Sequence, residues 1–320
     1  MKKLTFLAAA FMMAGAAHAQ SNNQSSSSTG NGNDVTVTQS GSGSTAAATQ
    51  TGDGNNATQS QGPGGPDRAT ITQSGDDNEA TQTQQFGGGN NATATQIGDR
   101  NSASQLQQAS NSTAEIRQGA SGNEAFDNVA IQEQTGGSGT QNSSLLIDQT
   151  GDRNYALQRQ AGSNNSATTT QSGDDNEAGQ FQQGASQVAT IQQAGNFNNA
   201  YQTQEGGGNN NMAAITQTSN NNTANQTQSG SYHEATVNQY GSGQYNQATQ
   251  IQRGNVGGDS ANGNDALIDQ FSTSQSDGNR ATQDQMGTRN SASTYQGGFG
   301  NGSEVMQNGA GNTATVRQNR

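Results

Sequence analysis

The sequence contains no cysteine and no tryptophan, and only 26% of its 320 residues are hydrophobic. A chain without cysteine has no disulfides, which exported proteins with small cores commonly use for stability. So low a hydrophobic fraction excludes an ordinary globular core, and composition alone would indicate disorder. Order in this protein must therefore have another source.

Lysine occurs only at Lys2 and Lys3, whereas 24 residues are acidic and the formal net charge is −12. This balance argues against nucleic acid or an anionic membrane as a partner. The two lysines precede an apolar run from Leu4 to Met13 and small residues ending at Ala19, which is the pattern of a secretory signal peptide. The run is too short for a membrane anchor, so we expect no stable membrane insertion.

Three segments follow from this pattern. We expect a signal peptide over residues 1–19, which is removed on export, and a flexible polar leader rich in Ser and Asn over residues 20–34. Residues 35–320 form the repeat domain that the remaining observations concern.

One motif recurs through the chain: Gln-x-Gly-x-x-Asn-x-Ala-x-x-x-Gln, from Gln39 to Gln318, with the last Gln of one unit usually opening the next. A short fixed period indicates a solenoid built from one small unit. Units that match every fixed position start at Gln50, Gln73, Gln85, Gln96, Gln149, Gln160, Gln171, Gln193, Gln285 and Gln307.

The position two residues before each closing Gln alternates between two kinds of residue. It is Gln at 82 and 105 but Ile at 71 and Ala at 94, and elsewhere Val or Thr takes the place of Ile. The structural period is therefore a pair of units, about 22 residues long. A merely biased, disordered tract has no reason to distinguish odd units from even ones.

Within a unit the constrained residues sit at alternate positions, which places them on one side of a β-strand. Between strands, Gly-x-x-Asn is rich in residues that favour chain reversal. Two strands and two reversals make a coil, and stacked coils align odd strands in one parallel sheet and even strands in another. We therefore predict an all-β fold, a β-solenoid of about 12 stacked two-strand coils with two facing parallel sheets of amyloid-like cross-β character.

Several spacings between closing glutamines are longer than the rest, such as Gln118 to Gln134 and Gln252 to Gln270. They keep the strand end and enlarge the reversal, so they predict bulged arcs or loops, and any dislocation of the stack is expected between Gln107 and Gln149.

Amides stacked at the cross-β spacing can bond to the copies above and below, which satisfies buried polar groups. The interior positions should therefore form ladders that also continue between molecules. The predicted ladder and polymerisation residues are Gln50, Gln61, Gln73, Gln84, Gln96, Gln107, Gln160, Gln171, Gln182, Gln193 and Gln204; Asn78, Asn90, Asn101, Asn154, Asn165 and Asn176; Gln82, Gln105 and Gln158; and the apolar Ile71, Ile191, Val37 and Val316. The predicted turn residues are Gly52, Gly75, Gly98, Gly151 and Gly173.

No set of residues indicates a catalytic, cofactor or metal site, and we predict that the protein is not an enzyme. Adjacent carboxylates such as Asp76 and Asp77 could in principle bind Ca²⁺, but the pattern of calcium-binding β-rolls is absent and turn chemistry is the favoured interpretation. His233 occupies an Asn position of the repeat and is interpreted as a degenerate ladder residue.

The repeat unit resembles the curlin repeat of curli fibre subunits from Gram-negative bacteria, over most of the chain from about residue 35. The resemblance implies an extracellular functional amyloid, exported through the periplasm, that forms cell-surface fibres for biofilm matrix and adhesion. It implies as partners other copies of the chain, a nucleator subunit, an outer-membrane secretion pore and periplasmic chaperones. The major fibre subunit is the favoured type, and the basic ending at Arg317 and Arg320 keeps a nucleator subunit as an alternative.

A soluble secreted β-solenoid acting as an adhesin or an ice-binding protein is a further alternative. Outward threonine pairs such as Thr70 with Thr72 and Thr93 with Thr95 resemble an ice-binding array, but Glu115 interrupts it. Fibre formation by the purified chain distinguishes these interpretations.

Overall fold

The computed structural model describes residues 21–120, 124–135, 142–205, 208–254, 263–273 and 277–319. The predicted signal peptide, residues 1–19, lies outside them. Every regular element in the described residues is a β-strand, so the all-β prediction is confirmed. A search of the described residues found no helix with the length and apolar character needed to cross a membrane.

The chain divides into two compact units, Met1–Arg153 and Asn154–Arg320. Each unit contains two parallel sheets, here named sheet A and sheet B, and its successive strands alternate between them.

In the first unit, sheet A has the order β1-β3-β5-β7-β9-β12, sheet B has the order β2-β4-β6-β8-β11, and the short β10 pairs with β7. The strands are β1 (Asn23–Thr29), β2 (Asp34–Gln39), β3 (Thr45–Thr51), β4 (Asn56–Gln61), β5 (Arg68–Ser74), β6 (Glu79–Gln84), β7 (Asn91–Asp99), β8 (Ser102–Gln108), β9 (Thr113–Gln118), β10 (Ala125–Phe126), β11 (Val129–Thr135) and β12 (Ser144–Thr150).

In the second unit, sheet A has the order β14-β16-β18-β20-β22-β24-β26 and sheet B has the order β13-β15-β17-β19-β21-β23-β25. The strands are β13 (Tyr155–Ser163), β14 (Ser166–Ser172), β15 (Glu177–Ala185), β16 (Val188–Ala194), β17 (Asn199–Glu205), β18 (Met212–Gln217), β19 (Thr223–Gly230), β20 (Glu234–Gly241), β21 (Gln247–Gly254), β22 (Asp265–Ser272), β23 (Arg280–Thr288), β24 (Ser291–Gly298), β25 (Gly302–Ala310) and β26 (Thr313–Asn319).

Strand β6 shows why these residues form a coil. Its repeat positions Ala80, Gln82 and Gln84 are buried, while Thr81 and Thr83 between them are half-buried on the outer side. This is the period of two expected for a strand with one side in an interior. The predicted β-solenoid with two parallel sheets is confirmed, with about 12 coils counted over the two units.

Parallel pairing aligns like positions of successive coils. Strand β6 pairs with β8 so that Gln82 lies beside Gln105 and Gln84 beside Gln107. A residue on one strand therefore meets the same residue type one coil away, which is the arrangement that makes continuous ladders possible.

The longer spacings leave this register unchanged. In the first unit Gln118 lies beside Gln149, and in the second unit Gln252 lies beside Gln285, although each pair is separated by more residues than the usual coil contains. The extra residues are in the connections between strands. Parts of those connections, 121–123, 136–141, 255–262 and 274–276, lie outside the described residues.

Strand β1 lies within the segment 20–34, for which the sequence predicts a flexible leader. It pairs in parallel with β3, with Ser28 beside Gln50, and most of its side chains are exposed. The leader assignment stays a prediction, and the structure adds that part of this segment extends sheet A.

Candidate polymerisation ladders and strand edges

The closing glutamines of sheet A form a chain of hydrogen bonds through the first unit. Gln50 Nε2 donates to Gln73 Oε1 at 3.0 Å, and Gln73 donates in turn to Gln96 at 2.9 Å. All three side chains are buried. The same bond joins Gln61 to Gln84 and Gln84 to Gln107 in sheet B.

Each of these amides uses its second N–H group on a main-chain carbonyl across the interior. Gln73 Nε2 donates to Asn56 O at 3.0 Å, and Gln84 Nε2 donates to Arg68 O at 2.9 Å. Sequence reasoning missed these bonds, because the accepting main-chain group carries no side-chain signature. In these coils they tie sheet A to sheet B.

A second glutamine column runs through the middle of sheet B. Gln82 Nε2 donates to Gln105 Oε1 at 2.8 Å and also to Thr70 O of the facing strand at 2.9 Å. The facing position on sheet A is Ile71, which is fully buried. At this central position in the first unit, sheet B therefore contributes amides to the interior and sheet A contributes aliphatic side chains.

The second unit has the same three glutamine columns. Their buried members bond to the next coil at 2.7–2.9 Å: Gln160 to Gln182, Gln182 to Gln204, Gln171 to Gln193, and Gln158 to Gln180. Ile191 in the aliphatic column of this unit is fully buried.

The repeated asparagine links three consecutive coils. Asn78 Nδ2 donates to Asn55 Oδ1 at 3.1 Å and to Gly98 O at 2.7 Å, and its own Oδ1 accepts the main-chain N–H of Asn101 at 3.0 Å. The equivalent bond from Nδ2 to a main-chain carbonyl oxygen in the turn of the next coil is made by Asn90, Asn101, Asn154, Asn165 and Asn176.

The reversals contain glycine in a backbone conformation that other residues rarely adopt. The predicted turn residues Gly52, Gly75, Gly98, Gly151 and Gly173 have φ of 114°, 121°, 115°, 104° and 99°. A Cβ at Gly75 would also overlap the carbonyl oxygen of Gly98 in the next coil. Glycine is therefore required here both by the turn and by the stacking of turns.

The aspartate after each turn glycine forms a further ladder on the outside of the first unit. Asp76 Oδ1 accepts the main-chain N–H of Asp53 at 2.8 Å, and Asp99 Oδ1 accepts that of Asp76 at 2.8 Å. The recurring Gly-Asp dipeptide is the sequence signal for it. Among the described residues, no group of three or more His, Asp or Glu side chains could hold a metal ion.

Two titratable residues occupy asparagine positions of sheet A. His233 Nδ1 accepts the N–H of Asn264 at 3.1 Å, so Nε2 carries the hydrogen that faces Gly254 O at 3.1 Å. Burial lowers the pKa of His233. In the first unit Asp67 accepts the N–H of Asn90 at 2.9 Å, and burial raises the pKa of its carboxyl group. Both residues substitute for a ladder amide.

The ladders end at strands whose outer edges are open. Within the described residues, sheet A of the first unit begins at β1 and its sheet B at β2, and sheet A of the second unit ends at β26 and its sheet B at β25. Val37 on β2 and Val316 on β26, two of the predicted ladder residues, lie on these outermost strands and are only half-buried. An open edge of main-chain N–H and C=O groups can pair with a strand of another chain.

Comparison with known proteins identifies the repeat. The family model of the curlin associated repeat matches the chain at residues 67–98, 140–173 and 287–319. No curated protein matches the chain at a significant level.

Proposed function

Because this chain is a curlin-repeat protein, we propose that it is a secreted structural subunit that polymerises end to end into extracellular amyloid fibres. The observation that carries the proposal is that in-register amide ladders occur together with open strand edges. Both features would let a second copy continue the sheets with the interactions that already join the coils.

The family and the fold point to a structural protein rather than an enzyme. The repeat positions are occupied by the same few residue types coil after coil, and their polar groups bind one another. The chain's chemistry is thus directed at self-association.

The proposal is tested with the purified chain lacking residues 1–19. We expect fibres that bind amyloid dyes, that show cross-β diffraction and whose growth is accelerated by preformed seeds. A chain that stays monomeric under seeding would instead favour a soluble β-solenoid adhesin or ice-binding protein.

The biological role that we propose is that of a curli-type subunit in biofilm matrix and adhesion, exported by way of the periplasm. The family resemblance supports a secretion pore, periplasmic chaperones and a nucleator subunit as partners. Export is tested in a bacterium with a curli secretion system: fibres should appear at the cell surface, and deletion of residues 1–19 should retain the chain in the cell.

An adhesive role has separate support on the outside of the second unit. Tyr155, Phe181 and Tyr201 line a groove of about 300 Å³ on the outer side of sheet B. Gly179 leaves the space into which the ring of Tyr201 extends. Fibres carrying Phe181→Ser and Tyr201→Ser should form normally and bind less to apolar surfaces, and unchanged binding would exclude the groove from adhesion.

A further inference from the structure

The strand order sets a condition on how two copies can meet. Strands alternate between the sheets along the chain, and β26 belongs to sheet A. If both sheets are to continue without a gap, the strand that follows β26 must belong to sheet B. In an incoming copy that strand is β2, and its β3 then pairs with β26.

In the single chain, however, the edge of β3 is already occupied. Strand β1 pairs with β3 in parallel over seven positions, from Asn23 beside Thr45 to Thr29 beside Thr51. We propose that β1 holds, within one copy, the strand edge that β26 of a second copy pairs with in the fibre, so that growth requires β1 to be displaced. This inference rests on the proposed function, because it describes the contact between polymerising copies.

The side chains of β1 fit this position poorly. Ser28 stands where every other strand of sheet A in the first unit has a closing glutamine, and it lies beside Gln50. Gln50 Oε1 is buried and has no hydrogen-bond partner, whereas Gln73 Oε1 in the next coil accepts a bond from Gln50. A buried acceptor without a partner is destabilising, so β1 is held mainly by its main-chain bonds.

Strand β26 has the side chains that β1 lacks. Pairing it with β3 of a second copy places Ala314, Val316 and Gln318 beside Ala46, Ala48 and Gln50. Gln318 Oε1 accepts a bond from Gln296 Nε2 of the preceding coil, and Gln318 Nε2 donates to Gly302 O of its own coil at 2.8 Å. An interior glutamine makes the same two bonds. The remaining N–H of Gln318 has no partner among the described residues and would reach Gln50 Oε1 of the second copy.

The other sheet is complementary in the same arrangement. The central column of sheet B is glutamine at every position except its first and last, Val37 on β2 and Val305 on β25. Contact between β25 and β2 of a second copy places these two valines together and sets Gln307 beside Gln39. The column therefore changes from amide to aliphatic only at the junction, where valine meets valine.

The test uses a disulfide that locks β1 onto β3. The chain has no cysteine of its own, and Ser27 and Thr49 are exposed, directly paired residues of β1 and β3. The variant Ser27→Cys with Thr49→Cys is oxidised and added to wild-type seeds. We expect the oxidised variant to lengthen the seeds about tenfold or more slowly than the reduced variant does, since each seed end can add one locked copy at most. Reductant should restore growth.

The matched control is Thr70→Cys with Thr93→Cys, a paired position on β5 and β7 that is distant from any edge of sheet A. Its oxidised form should grow like its reduced form. Equal growth of the oxidised and reduced Ser27–Thr49 variant would overturn the inference while leaving polymerisation itself established. Absence of growth in the wild-type chain would instead overturn the proposed function, and the inference with it.

A second measurement reads the register of the junction directly. In fibres of Thr49→Cys with Arg317→Cys, the proposed pairing puts the two cysteines of adjacent copies side by side, and oxidation should give covalent multimers. In fibres of Ser27→Cys with Arg317→Cys, β1 is displaced and few multimers should form. The reverse yields would show that β26 pairs with β1, and the inference would be wrong.

Discussion

An interior glutamine in this protein has its hydrogen-bonding groups engaged on three sides. Gln84 accepts a bond from Gln61, donates one to Gln107 and donates another to Arg68 O. Leaving a buried polar group without its partner costs about 1–3 kcal/mol. Replacing one ladder residue therefore affects both neighbouring coils as well as its own.

The turn glycines allow a prediction at the residue scale. Gly75→Ala introduces a Cβ that overlaps Gly98 O, so it should destabilise the chain by about 1–3 kcal/mol more than the backbone strain alone does. Gly309→Ala is the control, because Gly309 has a similar φ of 108° but no main-chain atom near its Cβ position. Guanidinium unfolding of the two variants measures the difference, and equal losses would contradict the stacking argument.

A second residue-scale prediction concerns Asp67. Burial raises the pKa of its carboxyl group. Below pH 3.8, the ordinary pKa of the group, the protonated carboxyl favours the folded state. This contribution to stability is lost as the pH rises through the pKa of the folded state. Asp67→Asn supplies an uncharged amide like that of Asn90 in the next coil. It should stabilise the chain by about 1 kcal/mol near pH 7 and by less at acid pH.

The reverse change in the same column provides the control for Asp67. Asn90→Asp should destabilise the chain, and more so near neutral pH than at acid pH. Denaturant midpoints measured across this pH range test both variants. A gain from Asp67→Asn that does not depend on pH would refute the role of the buried charge.

At the scale of the element, a strand is stabilised by the coils on either side more than by its own sequence. Strand β8 pairs with β6 and β11, and its three interior residues Ala103, Gln105 and Gln107 lie beside like residues in both. Stability of this kind is cooperative along the stack, since each added coil supplies the partners of the previous one.

This cooperativity predicts how a charge inside one strand acts. Gln105→Lys places an ammonium group in a buried column that joins Gln82 to Gln132, and an unpaired buried charge costs several kcal/mol. Seeded fibre growth should slow by about tenfold or more, because 1.4 kcal/mol already corresponds to a factor of ten. The triple change of Gln82, Gln105 and Gln158 to Lys should abolish growth.

The control for this variant is the adjacent position on the same strand. Leu106 is on the outer side of β8 and half-buried, so Leu106→Lys adds the same charge outside the ladder. It should leave the growth rate nearly unchanged. If Gln105→Lys grew as fast as Leu106→Lys, the amide column would not be what joins the coils.

At the scale of the whole molecule, charge opposes association while the ladders favour it. The formal net charge of the chain is −12, and the turn aspartates Asp53, Asp76 and Asp99 form a column of like charge on the surface. Repulsion between copies of equal charge slows their encounter. Acidic turns should therefore slow the proposed assembly of copies.

Salt dependence tests this repulsion. Raising the salt concentration from about 0.01 M to about 0.1 M shortens the Debye length from about 30 Å to about 10 Å, so the lag before fibre growth should become shorter. Dye-binding kinetics over this range measure the lag. A lag that stays constant or lengthens would show that charge does not control the rate of assembly.

Particular residues show how much of this protein could be predicted from its sequence. The alternation of Gln82 with Ile71 and Ala94 was enough to assign strands to two sheets and to identify the interior side of each. The glycines of the reversals were enough to locate the turns. These features are local in origin, because strand periodicity and turn conformation depend on a few consecutive residues.

The tertiary structure decided what lies between residues that are far apart in the chain. Gln73 reaches Asn56 O, the Cβ of residue 75 is excluded by Gly98 O, and β1 covers the edge of β3. Each of these contacts joins residues that are far apart in the chain, and main-chain acceptors leave no mark in the sequence. Local periodicity by itself determined the coil and its columns, whereas the second bond of each amide depends on how the two sheets face each other and the occupant of each strand edge depends on how coils stack.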